Sequence, residues 1–280
     1  RSLWDMLPEG KKLGGAPANF AYHASQFGLE GLAVSAIGQD KLGEEIVEAL
    51  EEHHLPYHLD RVDYPTGTVQ VTLDSRGVPQ YEIKTGVAWD NIPYTRELAQ
   101  LALQSQAVCF GSLAQRSPVS RESIGLFLDA VPKDCLKVFD INLRQDFYDK
   151  EVLEASFRRC DILKITDEEL VVMARMFNLP GLALEEKCRY LIKEYDLKML
   201  ILTCGVNGSY VFYEGGMSFL DTPKVKVADT VGAGDSFTGA FVGSLLTGKT
   251  VTQAHETAVK VSAFVCTQSG AMPIVPANLK

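Results

Sequence analysis

The sequence predicts an α/β protein in which helices cover both faces of a mostly parallel β-sheet, giving three layers. From about residue 15 onward, short segments that are apolar throughout alternate with longer amphipathic segments. That alternation is typical of strands buried between two layers of helices. One further segment instead has a period of two, which indicates a separate small β-structure.

The buried strands are expected where the short apolar segments occur. The candidate core strands are residues 32–38, 107–112, 137–142, 161–166, 199–204 and 210–213. The helices expected between them are residues 18–27, 43–53, 96–105, 121–130, 150–159, 167–177 and 184–195. No internal repeat interrupts this order, so residues 1–280 are interpreted as one large domain with an appendage.

The appendage is expected at residues 66–84, where apolar and polar side chains alternate on both sides of a predicted turn at Asp74-Ser75-Arg76-Gly77. The apolar face of such a hairpin must be buried against another surface of the protein or of a partner. We interpret it as a small β-lid over a site, as a dimer surface, or as both. The lid is expected to come mainly from residues 60–90, with residues 8–14 as a second candidate segment.

The overall charge disfavours two classes of partner. The chain has 27 basic and 36 acidic residues, a net charge of −9, so a general attraction to nucleic acid or to an anionic membrane is not expected. With 46% apolar and 22% charged residues, the composition is that of an ordinary globular protein. The composition and charge therefore favour a small molecule as the ligand over nucleic acid or a membrane.

The cysteines and the apolar segments predict a cytoplasmic protein. The six cysteines are widely spaced, and they suggest neither a metal site nor a disulfide framework: Cys109, Cys135, Cys160, Cys188, Cys204 and Cys266. No apolar segment approaches the roughly 18 to 20 residues that span a bilayer. The sequence begins at Arg1 without a methionine, so part of the native amino terminus is expected to precede it.

Two rival phosphate loops lie within residues 229–250. Residues 243–250, GSLLTGKT, match the letters of a P-loop, but Phe237, Phe241 and Leu245 recur every four residues and predict a packed helix through it. Gly248 is then expected to end this helix, and Thr250 or Thr252 to cap the next one. The P-loop interpretation is therefore rejected.

The other loop is DTVGAGD at residues 229–235, which opens the same helix. Gly232, Ala233 and Gly234 would present successive N–H groups at a helix amino terminus, where the partial positive charge suits a phosphoryl group. A carboxylate beside such a turn would repel the ligand, so Asp235 is expected to be a base that accepts the proton of an attacking hydroxyl. The alternative is that Asp235 only complements the helix dipole.

Two separated segments then resemble the ribokinase-like (PfkB) carbohydrate kinases, and among them the bacterial fructokinases. GGAPANFAYHASQFG at residues 14–28 is similar to the family's first signature, and DTVGAGDSFTGAF at residues 229–241 is similar to its second. The resemblance spans essentially the whole chain. It implies the ribokinase-like fold, ATP and Mg²⁺ as cofactors, Asp235 as the catalytic base and the turn at 232–234 as the anion hole.

The resemblance also implies residues that contact the sugar. Asp5 falls where the family has a sugar-hydroxyl acceptor, and Gly15 and Asn19 fall at sugar-contacting positions. The segment DINLR at 140–144 is similar to one that sends Asn142 and Arg144 toward the cleft. For Asn19 the alternative is a helix-capping residue, and for Arg144 a surface salt bridge.

On the nucleotide side, TCGVNGS at 203–209 is similar to the element that places Thr203, Gly205 and Gly208 near ATP, although a glycine turn between two strands explains it equally well.

Two metal roles follow from the resemblance: Glu169 would act through water on Mg²⁺, and a monovalent cation such as K⁺ would lie near Asp229. Thr166 stands where the family has Asn. The family also has a β-strand just before residues 3–5 that the sequence does not contain.

The resemblance implies ATP-dependent phosphorylation of a sugar primary hydroxyl, most similar to the conversion of D-fructose to D-fructose 6-phosphate. The alternatives are a kinase for another sugar, such as 2-keto-3-deoxygluconate or ribose, and a catalytically silent sugar-binding sensor. The substitution at Thr166 and the incomplete amino terminus favour a sensor, while the intact GAGD disfavours it. The partners expected are the sugar and ATP, together with a second copy of the chain bound through the lid.

Overall fold

The computed structural model describes residues 3–7, 10–73, 75, 79–179, 181 and 183–280. The strands are β1 (Leu3–Leu7), β2 (Gly10–Gly14), β3 (Ala33–Gly38), β4 (Tyr57–Val62), β5 (Gly67–Leu73), β6 (Pro79–Ile83), β7 (Ala107–Gly111), β8 (Leu136–Asp140), β9 (Ile162–Thr166), β10 (Met199–Thr203), β11 (Ser209–Tyr213) and β12 (Gly216–Leu220). The helices are α1 (Ala16–Ser25), α2 (Lys41–Glu52), α3 (Arg96–Leu103), α4 (Pro118–Ala130), α5 (Lys150–Arg159), α6 (Asp167–Met176), α7 (Leu184–Tyr195), α8 (Ala233–Leu246) and α9 (Val251–Cys266).

The main sheet has the strand order β12-β11-β10-β9-β8-β7. Strands β7 to β10 run parallel, and β11 and β12 continue the sheet antiparallel. Because the carboxyl ends of parallel strands meet at one edge of a sheet, Asp140, Thr166 and Thr203 end their strands at the same edge. The predicted fold class is confirmed.

The main sheet is buried on both faces, as the continuous apolar segments predict. Alternate residues of a strand point to opposite faces. Accordingly, Leu163 packs with Phe157 and its neighbours in one core cluster, while Ile162 packs with Phe241 and its neighbours in another. The first cluster lies under α5, α6 and α7, and the second lies under α8 and α9. These clusters give the protein its three layers.

Strands β3 and β4 form a separate parallel pair. The sequence predicts residues 32–38 as a strand of the core sheet, but among the described residues β3 pairs only with β4. A cleft of about 410 Å³ lies between β3 and β7, with Val34 on one side and Val108 and Phe110 on the other. Side chains of α1 and α4 line it, and the exposed polar residues Glu30, Gln104 and Gln106 complete the lining, so the cleft opens to solvent.

The small sheet has the order β2-β1-β5-β6. Strands β5 and β6 form the predicted hairpin, whose turn lies outside the described residues except for Ser75. Strand β2 lies within residues 8–14, the second candidate segment of the lid, whereas β4, at residues 57–62, lies outside the small sheet. The sequence did not predict β1 as a strand. Its parallel pairing with β5, Leu3 opposite Gly67, joins segments distant in the chain.

The small sheet is joined to the body by a buried arginine. Arg116 pairs with Asp90 through two hydrogen bonds of 2.8 and 2.9 Å and donates a third to the carbonyl of Lys84, just after β6. Its guanidinium lies 4.0 Å from the ring centre of Trp89 and 4.5 Å from that of Phe147. Arginine suits such a site because its planar group can stack on rings and form a two-pronged bond at once.

Helix α8 runs through the residues that imitate a P-loop. Residues 243–246 are its last turn, and Gly248 follows in the left-handed conformation with φ 91°. Thr250 then caps α9 by accepting a hydrogen bond from the N–H of Gln253. The rejection of the P-loop is therefore consistent with the structure. None of the helices among the described residues is long and apolar enough to cross a membrane.

Candidate active site

The turn at residues 229–235 leads into α8, with Gly232 at the capping position. Gly232 has φ 78°, a conformation that a side chain disfavours, and a Cβ there would lie 2.5 Å from Cβ of Ala271. The N–H of Ala233 donates to the carbonyl of Thr230 at 3.3 Å, so one of the three N–H groups assigned to the anion hole is engaged within the turn itself. The anion hole stays a prediction.

Asp235 lies in the first turn of α8, and its carboxylate is held by α1. Nδ2 of Asn19 donates to Oδ2 of Asp235 at 2.8 Å. Asn19 is 3% exposed and lies within α1, where Gly15 occupies the capping position, so Asn19 does not cap the helix. The resemblance implied a sugar contact for Asn19. The structure instead gives its amide a protein partner, and its Oδ1 is buried with no hydrogen bond among the described residues.

A buried ion pair lies at the same edge of the main sheet. Lys164 and Asp140 sit opposite each other on β9 and β8 and are each 6% exposed. Nζ of Lys164 lies 3.3 and 3.5 Å from the two carboxylate oxygens of Asp140. Burial raises the pKa of Asp140 to about 6, although Lys164 opposes this shift. Burial lowers the pKa of Lys164, but Asp140, Glu169 and Asp235 together raise it above its ordinary value.

Glu169 and Thr166 form a reciprocal cap at the start of α6. Thr166 accepts from the N–H of Glu169, and Oε1 of Glu169 accepts from the N–H of Thr166, both at 3.1 Å. Oε2 of Glu169 accepts from the N–H of Leu143 at 2.8 Å. Thr166, which stands where the family has Asn, therefore has a local role as a helix cap. Glu169 also holds the loop that follows β8.

The Glu169 side chain fits Mg²⁺ as a water-bridged ligand. Its carboxylate oxygens are of the type that Mg²⁺ prefers, and each of them keeps a second lone pair. The described residues contain no cluster of three or more potential metal ligands. An ion that retains several waters therefore suits Glu169 better than one held by protein groups alone. Asp229 accepts from the N–H of Val231 at 3.0 Å, and K⁺ there stays a prediction.

The structure brings some of the predicted residues together around one small cavity of about 50 Å³. Of the predicted residues, Asp235 and Asn142 line it, together with Asp140 and apolar residues of α1 and β7. Asn142 has φ 41°, so the chain turns sharply directly after β8. Arg144 is exposed, donates to the carbonyl of Leu143 and has no acidic partner among the described residues. A surface salt bridge therefore does not explain Arg144.

The remaining predicted residues lie on neighbouring elements. Asp5 is half-buried in the middle of β1, and Gly15 has φ 123° just before α1. Thr203 ends β10 beside Thr166, and Gly205 and Gly208 lie in the loop that connects β10 to β11. This loop is also a glycine turn between two antiparallel strands, so its geometry fits both interpretations made from the sequence.

The sequence analysis assigned no role to Lys164 or Asp140. A signal was available, because each charged residue interrupts the apolar part of a predicted strand, Lys164 between Leu163 and Ile165 and Asp140 between Phe139 and Ile141. Charged side chains are almost never fully buried unless they are paired. A lysine and an aspartate that end up on adjacent strands are therefore expected to meet, but only the strand order shows that they are adjacent.

Comparison with known proteins gives a consistent family assignment. The model of the pfkB family carbohydrate kinases matches residues 9–278. The chain is 29% identical over 273 residues to an ATP-dependent 6-phosphofructokinase of Thermoanaerobacterium thermosaccharolyticum, covering 95% of this chain and 82% of that protein. It is 27% identical over 256 residues to a fructokinase of Salmonella typhimurium, covering 86% and 81%.

The fold is also found in solved structures. A fructokinase from Vibrio cholerae O395, in a form with fructose, ADP and calcium ion bound, superposes with a TM-score of 0.81. The sequence identity is 23%, and the alignment covers 99% of this chain and 95% of that one. At this identity the likeness establishes the fold alone.

Proposed function

Since the chain belongs to the pfkB family of carbohydrate kinases, we propose that it transfers the γ-phosphoryl group of ATP to the primary hydroxyl on C6 of D-fructose, giving D-fructose 6-phosphate. The sugar kinase activity follows from the family, and the choice of fructose is the finer part of the proposal. It is supported by the fructokinases among the relatives and structural neighbours.

The observation that carries the proposal is the placement of Asp235. Its carboxylate lies at the start of α8, directly after the glycine turn, and a buried Asn19 holds one of its oxygens at 2.8 Å. A carboxylate that is held by one oxygen leaves the other free to face a substrate hydroxyl. General bases act at this kind of position, where the proton acceptor and the reacting group are fixed relative to each other.

In the proposed reaction, Asp235 accepts the proton of the sugar hydroxyl as the hydroxyl oxygen bonds to the γ-phosphorus. The bond from that phosphorus to the oxygen of ADP breaks, and ADP leaves. The turn at 232–234 and the amino terminus of α8 offset the negative charge on the phosphoryl oxygens. Glu169 would hold Mg²⁺ through water, and the ion would supply further neutralisation of that charge when it is bound.

The small sheet is proposed to cover the sugar. Asp5 on β1 would accept hydrogen bonds from sugar hydroxyls, and Gly15 would allow the sugar to approach the backbone. Arg144, exposed and without an acidic partner among the described residues, would contact phosphate or sugar. Exclusion of water by this sheet would limit wasteful hydrolysis of ATP. A homodimer through the small sheet is a further part of the proposal, and the molar mass in solution measures it directly.

The experiment that tests the proposal is a sugar panel with the purified protein. ADP release is measured with ATP and Mg²⁺ in the presence of fructose, fructose 6-phosphate, ribose or 2-keto-3-deoxygluconate. We expect the highest kcat/KM with fructose, and NMR of the product should place the phosphate on the oxygen of C6 and not on that of C1. A higher kcat/KM with another sugar would replace fructose in the proposal. Sugar binding without ADP release would favour the silent sensor.

The Asp235→Asn variant tests the assigned base. The amide has nearly the same shape but cannot take up the proton, so kcat should fall by about 10³ or more, at the upper end of what general-base catalysis contributes. The unfolding temperature should stay close to that of the wild type. Turnover within tenfold of the wild type would contradict the role of Asp235.

A further inference from the structure

The buried pair of Lys164 and Asp140 is not explained by stability. Removing two charges from water costs several kcal/mol per ion, and apolar residues of similar volume often replace such pairs without loss of stability. The pair lies in the interior of an α/β sandwich where every neighbouring strand position is apolar or half-buried. A charged pair that persists there is a candidate for a functional role.

The geometry of the pair is loose. The distances of 3.3 and 3.5 Å from Nζ of Lys164 to the oxygens of Asp140 exceed the 2.7–2.9 Å that is usual for a charged N–H···O bond. An ammonium group has three N–H donors, and in the part of the chain that the structure describes Asp140 is the only hydrogen-bond partner of Lys164. The ammonium of Lys164 can therefore donate a further hydrogen bond to a ligand.

The ammonium also lies against the turn that precedes α8. A Cβ at Gly234 would lie 2.9 Å from Nζ of Lys164, closer than real atoms approach. Gly234 has no unusual φ, so space for Lys164, and not backbone conformation, explains the glycine here. Lys164 is therefore next to the N–H groups assigned to the anion hole, and its charge is felt by both Asp235 and Glu169.

We propose that Lys164 is a further phosphate-contacting residue, whose ammonium donates to the terminal phosphoryl group of the nucleotide at the 232–234 turn while Asp140 holds it in place. The proposal rests on the proposed function, because it uses the same turn. The turn offers only backbone N–H groups and the partial positive charge of a helix amino terminus. Lys164, from the main sheet, would add a full positive charge beside them. Asp140 is then a positioning residue, which orients the ammonium without touching the nucleotide.

A nucleotide series separates this role from a structural one. Affinities for AMP-PNP, which carries a γ-phosphoryl group, and for AMP, which has only the α-phosphate, are measured by titration calorimetry without sugar. In Lys164→Met, the affinity for AMP-PNP should fall about tenfold to a hundredfold, as for the loss of one hydrogen bond to a charged group. The affinity for AMP should change less than twofold. Equal losses for both nucleotides in a folded variant would overturn the proposal.

Lys164→Met leaves Asp140 buried without its partner, so two further variants keep the test decisive. In Asp140→Asn the ammonium remains, and AMP-PNP should bind at least as tightly as to the wild type. The double variant Asp140→Asn/Lys164→Met buries no unpaired charge and is expected to fold, with the unfolding temperature as the check. It should bind AMP-PNP as weakly as Lys164→Met. If it binds as tightly as Asp140→Asn, Lys164 does not contact phosphate.

These binding measurements do not depend on turnover. A wild-type protein that fails to release ADP with every sugar would overturn the proposed function, whereas the ratio of AMP-PNP to AMP affinity reports on Lys164 alone. If the wild type is an active kinase, kcat provides a second readout. We expect a loss of about a hundredfold in the double variant relative to Asp140→Asn, the size typical for one charge-stabilising donor. A loss below threefold would contradict the role.

Discussion

Asn19 donates a hydrogen bond from Nδ2 to Oδ2 of Asp235 at 2.8 Å, across the packed interface of α1 and α8. The two residues are separated by 216 positions in the chain. Each belongs to one of the two segments that resemble the family signatures, so the two signatures meet in a single contact. The contact makes Asn19 a candidate for orienting the carboxylate of Asp235, the proposed base, a different role from the sugar contact that the resemblance implies.

The Asn19→Leu variant distinguishes these two roles. If Asn19 orients Asp235, kcat should fall roughly tenfold to a hundredfold, as for the loss of a hydrogen bond to a charged group, while KM for the sugar stays within about twofold. A large rise in KM with an unchanged kcat would restore the direct sugar contact. Ser244→Ala serves as the control, because Ser244 is also fully buried in α8 but lies far along the helix from Asp235.

Gly232→Ala should both destabilise the protein and lower its activity. A side chain at φ 78° costs roughly 1 kcal/mol, and the new Cβ would meet Cβ of Ala271 at 2.5 Å. Ala271 cannot move away easily, because its carbonyl accepts a hydrogen bond from Nε2 of His23 at 2.7 Å. Urea unfolding should show a loss of roughly 2 kcal/mol or more.

The double variant Gly232→Ala/Ala271→Gly removes the clash but keeps the backbone strain. It should regain part of the lost free energy of unfolding relative to Gly232→Ala. If both variants are equally unstable, the contact with Ala271 contributes nothing to the requirement for glycine at this turn.

The Arg116→Met variant should be strongly destabilised. It leaves Asp90, which is 4% exposed, as a buried carboxylate without its partner, a change that typically costs 3–5 kcal/mol. The free energy of unfolding from urea titration measures the loss. Adding Asp90→Asn removes the unpaired charge, so the double variant should recover much of it. Equal stability of the single and double variants would show that the lost ring contacts, and not the charge, dominate.

The stability of the protein should depend on pH through His255. This ring is fully buried between Ser209 and Ser218, with both distances at 2.8 Å, and burial lowers its pKa to about 4. The unfolded chain takes up a proton near pH 6.5 but the folded protein does not. The contribution of the neutral ring is therefore complete above pH 6.5 and is lost as the pH falls toward 4, by about 3 kcal/mol in total.

His255→Gln provides the comparison for this prediction. Glutamine is uncharged and can still bond to both serines, so the difference in unfolding free energy between wild type and variant should shrink as the pH is lowered from 6.5 to 4. A difference that stays constant over this range would show that His255 does not titrate on unfolding.

The local sequence was sufficient to predict most elements of the main sheet and its helices. Each predicted core strand is found as a strand, and all but β3 lie in the main sheet, because a continuous apolar segment of this length favours burial between two layers. The pairing of strands could not be predicted in the same way. β1 joins β5 in the small sheet, and β3 is separated from β7 by a cleft, because pairing depends on segments that are distant in the chain.

The same division holds for the candidate site. The sequence by itself determined that Asp235 stands in the first turn of a helix behind a glycine turn, since both are properties of a few consecutive residues. Only the tertiary structure decided that Asn19 holds Asp235 and that Lys164 lies beside Asp140 and the turn. These contacts arise where α1 packs on α8 and where β8 lies beside β9, and the strand order and the helix packing that create them are not encoded in any local pattern.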